Sequence, residues 1–246
     1  MSELFRDVEG KALCPQGSVV CIGAFDGLHR GHRALIDHAL LRARSLGLPA
    51  VALSFEPLPR EFFGRADPPP RLLLPRAKFE ALRALGFDVV GLLRFNAALA
   101  STPAEVFVER VLHRRLAARE VWVGPEFRFG KGRAGDLELL QRLGAEHGFA
   151  AAAIDPVAFA GVRVSSSQVR QQLAAGELDA AAAVLGRRYA IGGKVVRGKQ
   201  LGRQLGYPTA NIRLAGKRAP LGGIFAVWVH GIGPEPRAGV ASLGTR

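Results

Sequence analysis

From Ser18 to Leu185 the sequence alternates short apolar, β-branched runs with longer stretches whose apolar residues recur every three or four positions. That alternation restricts the fold to a parallel sheet covered by helices on both faces. The first run, Ser18-Val-Val-Cys-Ile-Gly-Ala24, ends at glycine and reads as a buried strand. Leu35, Ile36, Ala39, Leu40 and Ala43 then keep helical spacing until Gly47 and Pro49 stop the pattern. The same grammar predicts strands over 49–55, 87–95, 120–124 and 149–154. Helices are expected over 75–85, 103–115 and 136–147, with a helical pair across 167–185. Glu56-Pro-Leu-Pro59 and Pro68-Pro-Pro70 bracket a segment expected to be irregular.

Past Gly186 the pattern changes. Residues 189–197, 210–214 and 223–230 are strand-like, separated by glycine-rich turns with no helix between them, which predicts a partial antiparallel β-barrel. The expected division is an α/β domain over 1–185 and a second, mostly antiparallel unit over 186–246.

Composition narrows the class without choosing a function. The 246 residues are 48% hydrophobic and 22% charged, as in ordinary soluble globular proteins. No apolar run approaches the roughly 18–20 residues of a membrane span, and the first residues lack a secretory signal pattern, so a cytoplasmic location is expected. Cys14 and Cys21 match no zinc spacing and read as buried free thiols. A formal charge of +13 would attract nucleic acid, anionic lipid or phosphorylated small molecules, but it is spread along the whole chain.

Chemistry concentrates in Gly23-Ala-Phe-Asp-Gly-Leu-His-Arg-Gly-His32, at the junction of the first strand and its helix. In open parallel sheets ligands bind at the carboxyl ends of strands, and helix N-termini offer unpaired N–H groups to phosphate. His29 and His32, three apart, share one face of the first turn, and Gly31 omits a side chain where a phosphate could approach. Each imidazole can donate to phosphoryl oxygens and titrates near neutral pH. A single histidine at a helix start is more often merely solvated; two around a glycine after a Phe-Asp-Gly turn point to phosphoryl chemistry. Asp26 could also serve as a turn former through its side chain.

This stretch resembles the HxGH signature of the nucleotidyltransferase superfamily, in the GxFDGxHxGHxxLI form of bacterial bifunctional riboflavin kinase/FMN adenylyltransferases, the FAD synthetases. Further segments resemble that family in the same order. Leu53-Ser-Phe-Glu-Pro-Leu-Pro-Arg-Glu-Phe-Phe63 is similar to its flavin-side loop, and Val123-Gly-Pro-Glu-Phe-Arg-Phe-Gly130 to its VGxDFRFG segment. Val164-Ser-Ser-Ser-Gln-Val-Arg170 is similar to SSTxIR. Gly193-Lys-Val-Val-Arg-Gly198 and Gly202-Arg-Gln-Leu-Gly-Tyr-Pro-Thr-Ala-Asn-Ile212 are similar to the opening of the riboflavin kinase module. Three departures stand out: Glu126 for the usual Asp or Asn, Leu58 at an often polar position, and Ser167 for Thr.

The resemblance implies a Rossmann-like nucleotidyltransferase domain that makes FAD from FMN and ATP with Mg²⁺, followed by part of a riboflavin kinase barrel. It implies catalytic roles for His29, His32 and Arg170, and ATP contacts from Gly23, Phe25, Asp26, Gly31, Ser165, Ser166 and Ser167. Flavin contacts would come from Phe62, Glu126, Phe127 and Phe129, although core packing is the default for any single phenylalanine. In the kinase module Lys194 and Gly198 would lie on the phosphate side, with Thr209 and Asn211 holding the magnesium nucleotide of riboflavin phosphorylation. The family continues past Gly244-Thr-Arg246 with more strands and the glutamate proposed as base, so this chain is expected to adenylylate FMN without phosphorylating riboflavin. Expected partners are small molecules, without nucleic acid or membrane. Two rivals stand beside this reading: another HxGH adenylyl- or cytidylyltransferase, which leaves Pro208-Thr-Ala-Asn211 unexplained, and a basic RNA-binding protein, which rests on charge alone.

Overall fold

The computed structural model describes all residues except 1, 65, 199, 200, 205, 208, 245 and 246, and not the side chains of 201 and 203. Pro208 of the second-module motif therefore lies outside the described residues. Six strands form one parallel sheet: β1 (Glu3–Phe5), β2 (Ser18–Ile22), β3 (Ala50–Glu56), β4 (Val89–Arg94), β5 (Ala118–Val123) and β6 (Ala150–Ala153), in the order β1-β4-β3-β2-β5-β6. β2 is central, pairing Val20 with Val51 on one side and with Val121 on the other.

Alternation along β2 divides the core. Val20 and Ile22 pack with Val51, Leu53, Val111, Leu112 and Leu140. Val19 and Cys21 face the other way, onto Leu35, Ile36, Ala39 and Leu40 of α1 (Arg30–Leu46) and Leu82 of α3 (Pro75–Ala84). Both faces are covered, which is why the strand reads as an unbroken apolar run. Gly47, in the left-handed conformation at φ 64°, stops α1 where the sequence indicated. Cys14 and Cys21 are free and buried, and burial pushes the Cys14 thiol up to about 11, beyond useful reactivity.

Several elements differ from expectation. Within the segment expected to be irregular, α2 (Pro59–Phe63) forms one short turn, with Pro59 supplying a helical φ and Glu61 accepting the Leu58 N–H at 2.9 Å. α4 (Ala97–Ala100) is a turn capped by Asn96. The helix expected over 103–115 begins as α5 (Ala104–Phe107) and continues as a wider π-helical stretch, Val108–Arg115. After α6 (Leu137–His147) and β6, a small hairpin of β7 (Ala158–Phe159) and β8 (Val162–Arg163) precedes α7 (Ser166–Ala174) and α8 (Leu178–Leu185). These two helices bury Val169, Leu173, Ala181, Val184 and Leu185 with Leu72 and Val164.

Beyond Gly186 the pairing turns antiparallel: β9 (Lys194–Val196) with β10 (Asn211–Arg213), and β11 (Gly223–Val229) with β12 (Arg237–Leu243). A short helix, α9 (Leu201–Gln204), lies between the first two, where the glycine-rich sequence led to the expectation of no helix. β12 escaped the sequence reading because Arg237-Ala-Gly-Val-Ala-Ser-Leu243 is small and glycine-containing, with weak strand propensity.

Candidate active site

β2 has β3 on one side and β5 on the other, so the strand order reverses there, the position at which open parallel sheets hold ligands in a crevice outside the strands' carboxyl ends. The segment leaving β2 into that crevice is sharply bent, with φ of 48° at Phe25, 88° at Gly27 and 47° at Leu28. Left-handed conformations at Phe25 and Leu28 each cost on the order of 1–3 kcal/mol, so the surroundings must hold them. Phe25 is fully buried, its ring edge-on to His32 at 5.5 Å. It shapes the site by packing; its ring is not exposed to a nucleotide.

His29 caps α1 through its side chain, Nδ1 accepting the His32 N–H at 3.3 Å. Accepting at Nδ1 leaves the proton of a neutral imidazole on Nε2. The two rings lie flat on each other, centroids 3.7 Å apart and planes 16° apart. A Cβ at Gly31 would stand 3.3 Å from the His29 ring, which explains the glycine between them. Burial pushes His29 down to about 4, and burial followed by the charges of His29 and Lys78 drives His32 well below its ordinary value. Both are thus neutral at pH 7 in the free protein, correcting the expectation of titration near neutrality: desolvation disfavours the imidazolium, and the positive end of α1 acts in the same direction. His32 Nδ1 is buried with no hydrogen-bond partner among the described residues.

Asp26 ties this turn to the rest of the site. Its buried carboxylate accepts the N–H groups of Leu72 and Leu73 at 3.2 and 3.0 Å and pairs with the Arg170 guanidinium. Its main-chain oxygen accepts the Ser166 hydroxyl at 2.9 Å. Arg170 also donates to the Pro70 carbonyl at 2.7 Å, and Ser165 caps α7 by accepting the Gln168 N–H at 3.2 Å. The HxGH turn and the Ser165–Arg170 segment therefore meet, with Ser167 exposed at the start of α7.

A chain of aromatic rings runs from α2 to the loop after β5. Phe62 and Phe63 both approach Phe95, at 5.4 and 5.8 Å, and Phe55 links Phe95 to Phe107. Phe127 stacks on Phe129 at 5.3 Å. Phe129 itself is only 7% exposed and belongs to the core, so in place of the expected flavin contact it backs Phe127. Glu126 is fully exposed and ion-paired with Arg163 of β8 at 2.5 Å, which holds its carboxyl below the usual range.

In the second unit, a Cβ at Gly198 would come within 2.5 Å of the Asn211 amide, and one at Gly202 within 2.7 Å of Thr209 Oγ1. Lys194 sits on β9 opposite Arg213, and the Thr209 hydroxyl donates to the Tyr207 carbonyl at 3.1 Å. Gly198 thus lies beside Asn211 and Gly202 beside Thr209, and Lys194 stands at the far end of the β9–β10 pairing from Asn211. The unit touches the first through Lys217 and Glu61 at 3.0 Å and through Arg218 and Asp67 at 2.7 Å.

Residues 11–168 match the FAD synthetase family model, and residues 185–246 match the riboflavin kinase model. A bifunctional riboflavin kinase/FMN adenylyltransferase of Escherichia coli (strain K12) is 42% identical over 99% of this chain and 78% of its own length. The chain belongs to the bifunctional riboflavin kinase/FMN adenylyltransferase family. The relative from Pseudomonas fluorescens is 44% identical over 94% of this chain and 74% of its own. A solved structure described as a macrolide-efflux protein from Streptococcus pneumoniae is 26% identical and superposes with a TM-score of 0.79, over 99% of this chain and 79% of that one. Membership makes the chain an enzyme acting on ATP, FMN and riboflavin as small-molecule substrates, in a family that synthesises FAD and phosphorylates riboflavin. Among the described residues no helix is long and apolar enough to cross a membrane.

Sequence reasoning passed over the charged residues beneath the turn. Lys78 is fully buried, as is Ser54, and Arg71 is 3% exposed. A signal existed for Lys78: it stands four residues before buried Leu82, on the inward stripe of α3.

Proposed function

We propose that the crevice at the end of β2 joins the phosphate of FMN to the α-phosphorus of ATP. An FMN phosphate oxygen forms the new P–O bond as the bond to the β-phosphate bridging oxygen breaks, and pyrophosphate leaves with that electron pair. No covalent enzyme intermediate is required. The observation that carries the reading is the stacked His29–His32 pair at the N-terminus of α1, beside the turn whose Asp26 holds Ser166 and Arg170.

Two anions must meet in this reaction, so positioning and charge neutralisation supply most of the acceleration. His29 Nε2–H and His32 donate to the transferring phosphoryl group. Bound polyphosphate supplies the negative potential that favours a proton on each ring, reversing the desolvation penalty of the free protein. Gly31 allows the nucleotide close to the backbone, Gly23 makes room for the Phe25 ring rather than for the nucleotide, and Asp26 shapes the turn rather than contacting phosphate, being already engaged. The start of α7, with Ser165, Ser166 and Ser167, faces the leaving pyrophosphate, and Arg170 adds its unused guanidinium N–H groups. Phe62 and Phe127 offer faces to the isoalloxazine ring, with Glu126 near its edge.

Residues 186–246 form the kinase module, a boundary supported by the end of α8 at Gly186 and by the antiparallel pairing of the strands that follow from Lys194. Thr209 and Asn211 supply hard oxygen donors suited to magnesium, and Gly198 and Gly202 make room for those side chains. Magnesium would add charge neutralisation at a nucleotide's phosphates, with Lys194 alongside.

A substrate panel tests the reading. Offered MgATP with FMN, pantetheine phosphate or nicotinate mononucleotide, the chain is expected to form a dinucleotide with FMN alone. Product from either other acceptor would favour another HxGH transferase. Salt-dependent RNA retention without quenching of flavin fluorescence would favour the RNA-binding rival.

A further inference from the structure

Two donors converge on one main-chain oxygen beneath the HxGH turn. The fully buried Lys78 ammonium donates to the Ala24 carbonyl at 3.0 Å, and the Ser54 hydroxyl donates to the same oxygen at 3.1 Å. Lys78 also reaches Ser54 Oγ at 3.2 Å and the Phe55 carbonyl at 3.5 Å. The Ala24 carbonyl belongs to the peptide that enters Phe25, the residue at φ 48° whose ring packs on His32. Phe25 is followed by Asp26, which holds Arg170 and Ser166.

A buried cation is costly, and one on an apolar helix stripe needs a compensating reason. Charge compensation is present: Glu56 lies 3.8 Å from Lys78 and pairs with Arg71, which pairs in turn with Glu61 at 3.2 Å. Any arrangement that merely filled space would use a leucine here. What the ammonium adds is a strong, directional bond to a carbonyl whose orientation decides whether the next residue can stay in its strained conformation.

We propose that Lys78, seconded by Ser54, is a positioning residue for adenylyl transfer: it holds the Ala24 carbonyl so that Phe25 stays strained and the His29–His32 pair meets the phosphates. The inference rests on the adenylyl-transfer reading above. Lys78 touches no substrate and acts through the turn. Its charge also weighs against a proton on His32, so its loss has an electrostatic signature in addition to a kinetic one.

The test compares the full chain with Lys78→Met and Ser54→Ala in FAD formation from FMN and MgATP. Lys78→Met is expected to lower kcat at least tenfold while both KM values stay within about threefold, and Ser54→Ala to lower kcat in the same direction by less. In Lys78→Met the His32 ring, followed by NMR, should take up its proton at higher pH than in the parent. If Lys78→Met does not fold, Ser54→Ala and its kcat decide the matter. Unchanged kcat in the folded variants, or a loss confined to KM, would overturn the proposal while the parent still makes FAD. A parent that makes no FAD would instead refute the reading beneath it.

Discussion

Arg170 on α7 closes on the buried carboxylate of Asp26, 144 residues before it, and ties the helix that follows the sheet to the turn that opens it. Asp26 is 2% exposed at its side chain and Arg170 13%, so the pair sits in low dielectric. Removing one partner leaves the other buried and uncompensated, at about 3–5 kcal/mol. Arg170→Ala should therefore lower unfolding stability by that order in urea titration, besides weakening the dependence of rate on ATP. The double variant with Asp26→Asn should lose less stability than the two singles added together. Additive losses would show that the two side chains do not act as a unit.

The histidines should behave differently. His29→Ala and His32→Ala are expected to lower the rate of FAD formation by on the order of 10²-fold or more, with FMN and ATP affinity far less affected, because the lost donors serve mainly the transition state. Steady-state kinetics with each substrate varied separates the two. Near-normal turnover in both variants would remove the pair from the chemistry.

Acid should destabilise the fold through the same residues. The folded-state value of His29, about 4, lies below the 6.5 of an exposed histidine, so the unfolded chain binds more protons between those limits. Stability is then fully present above pH 6.5 and falls as pH drops toward 4, by up to about 3 kcal/mol for His29 alone. His29→Asn keeps a capping acceptor without the titration and should flatten this limb in a series of unfolding curves. An equally steep limb in the variant would assign the acid sensitivity elsewhere.

Two phenylalanines expected to share one role should separate. Phe129→Ala removes a core side chain and should cost roughly 3–5 kcal/mol of stability. Phe62→Ala, on α2 and only partly buried, should cost clearly less stability and weaken FMN binding, read by quenching of flavin fluorescence. Equal destabilisation by both, with FMN affinity intact in Phe62→Ala, would withdraw Phe62 from the flavin side.

The sheet was legible because its strands are buried on both faces: Val19 to Ile22, Val51 to Leu53 and Val89 to Leu93 read as apolar runs whatever their neighbours. The histidines, Asp26 and Arg170 were legible as motifs, but their pairings were not, since a bond spanning 144 residues leaves no trace in local spacing. Nor could spacing separate Phe127, partly buried against the core, from Phe129, buried within it. Lys78 was hidden by its charge, which reads as a solvated helix face until Ala24 and Ser54 are seen beside it. Glu3 to Phe5 and Pro59 to Phe63 were too short for any periodicity to register.

The fate of the ATP phosphates distinguishes adenylyl transfer from every other use of ATP. The chain is incubated with FMN and MgATP carrying ³²P at either the α or the γ position, and the flavins are separated by chromatography. Adenylyl transfer puts the α-label in FAD and leaves the γ-label only in released pyrophosphate. Absence of α-label from any flavin, in a folded chain that binds FMN, would contradict it.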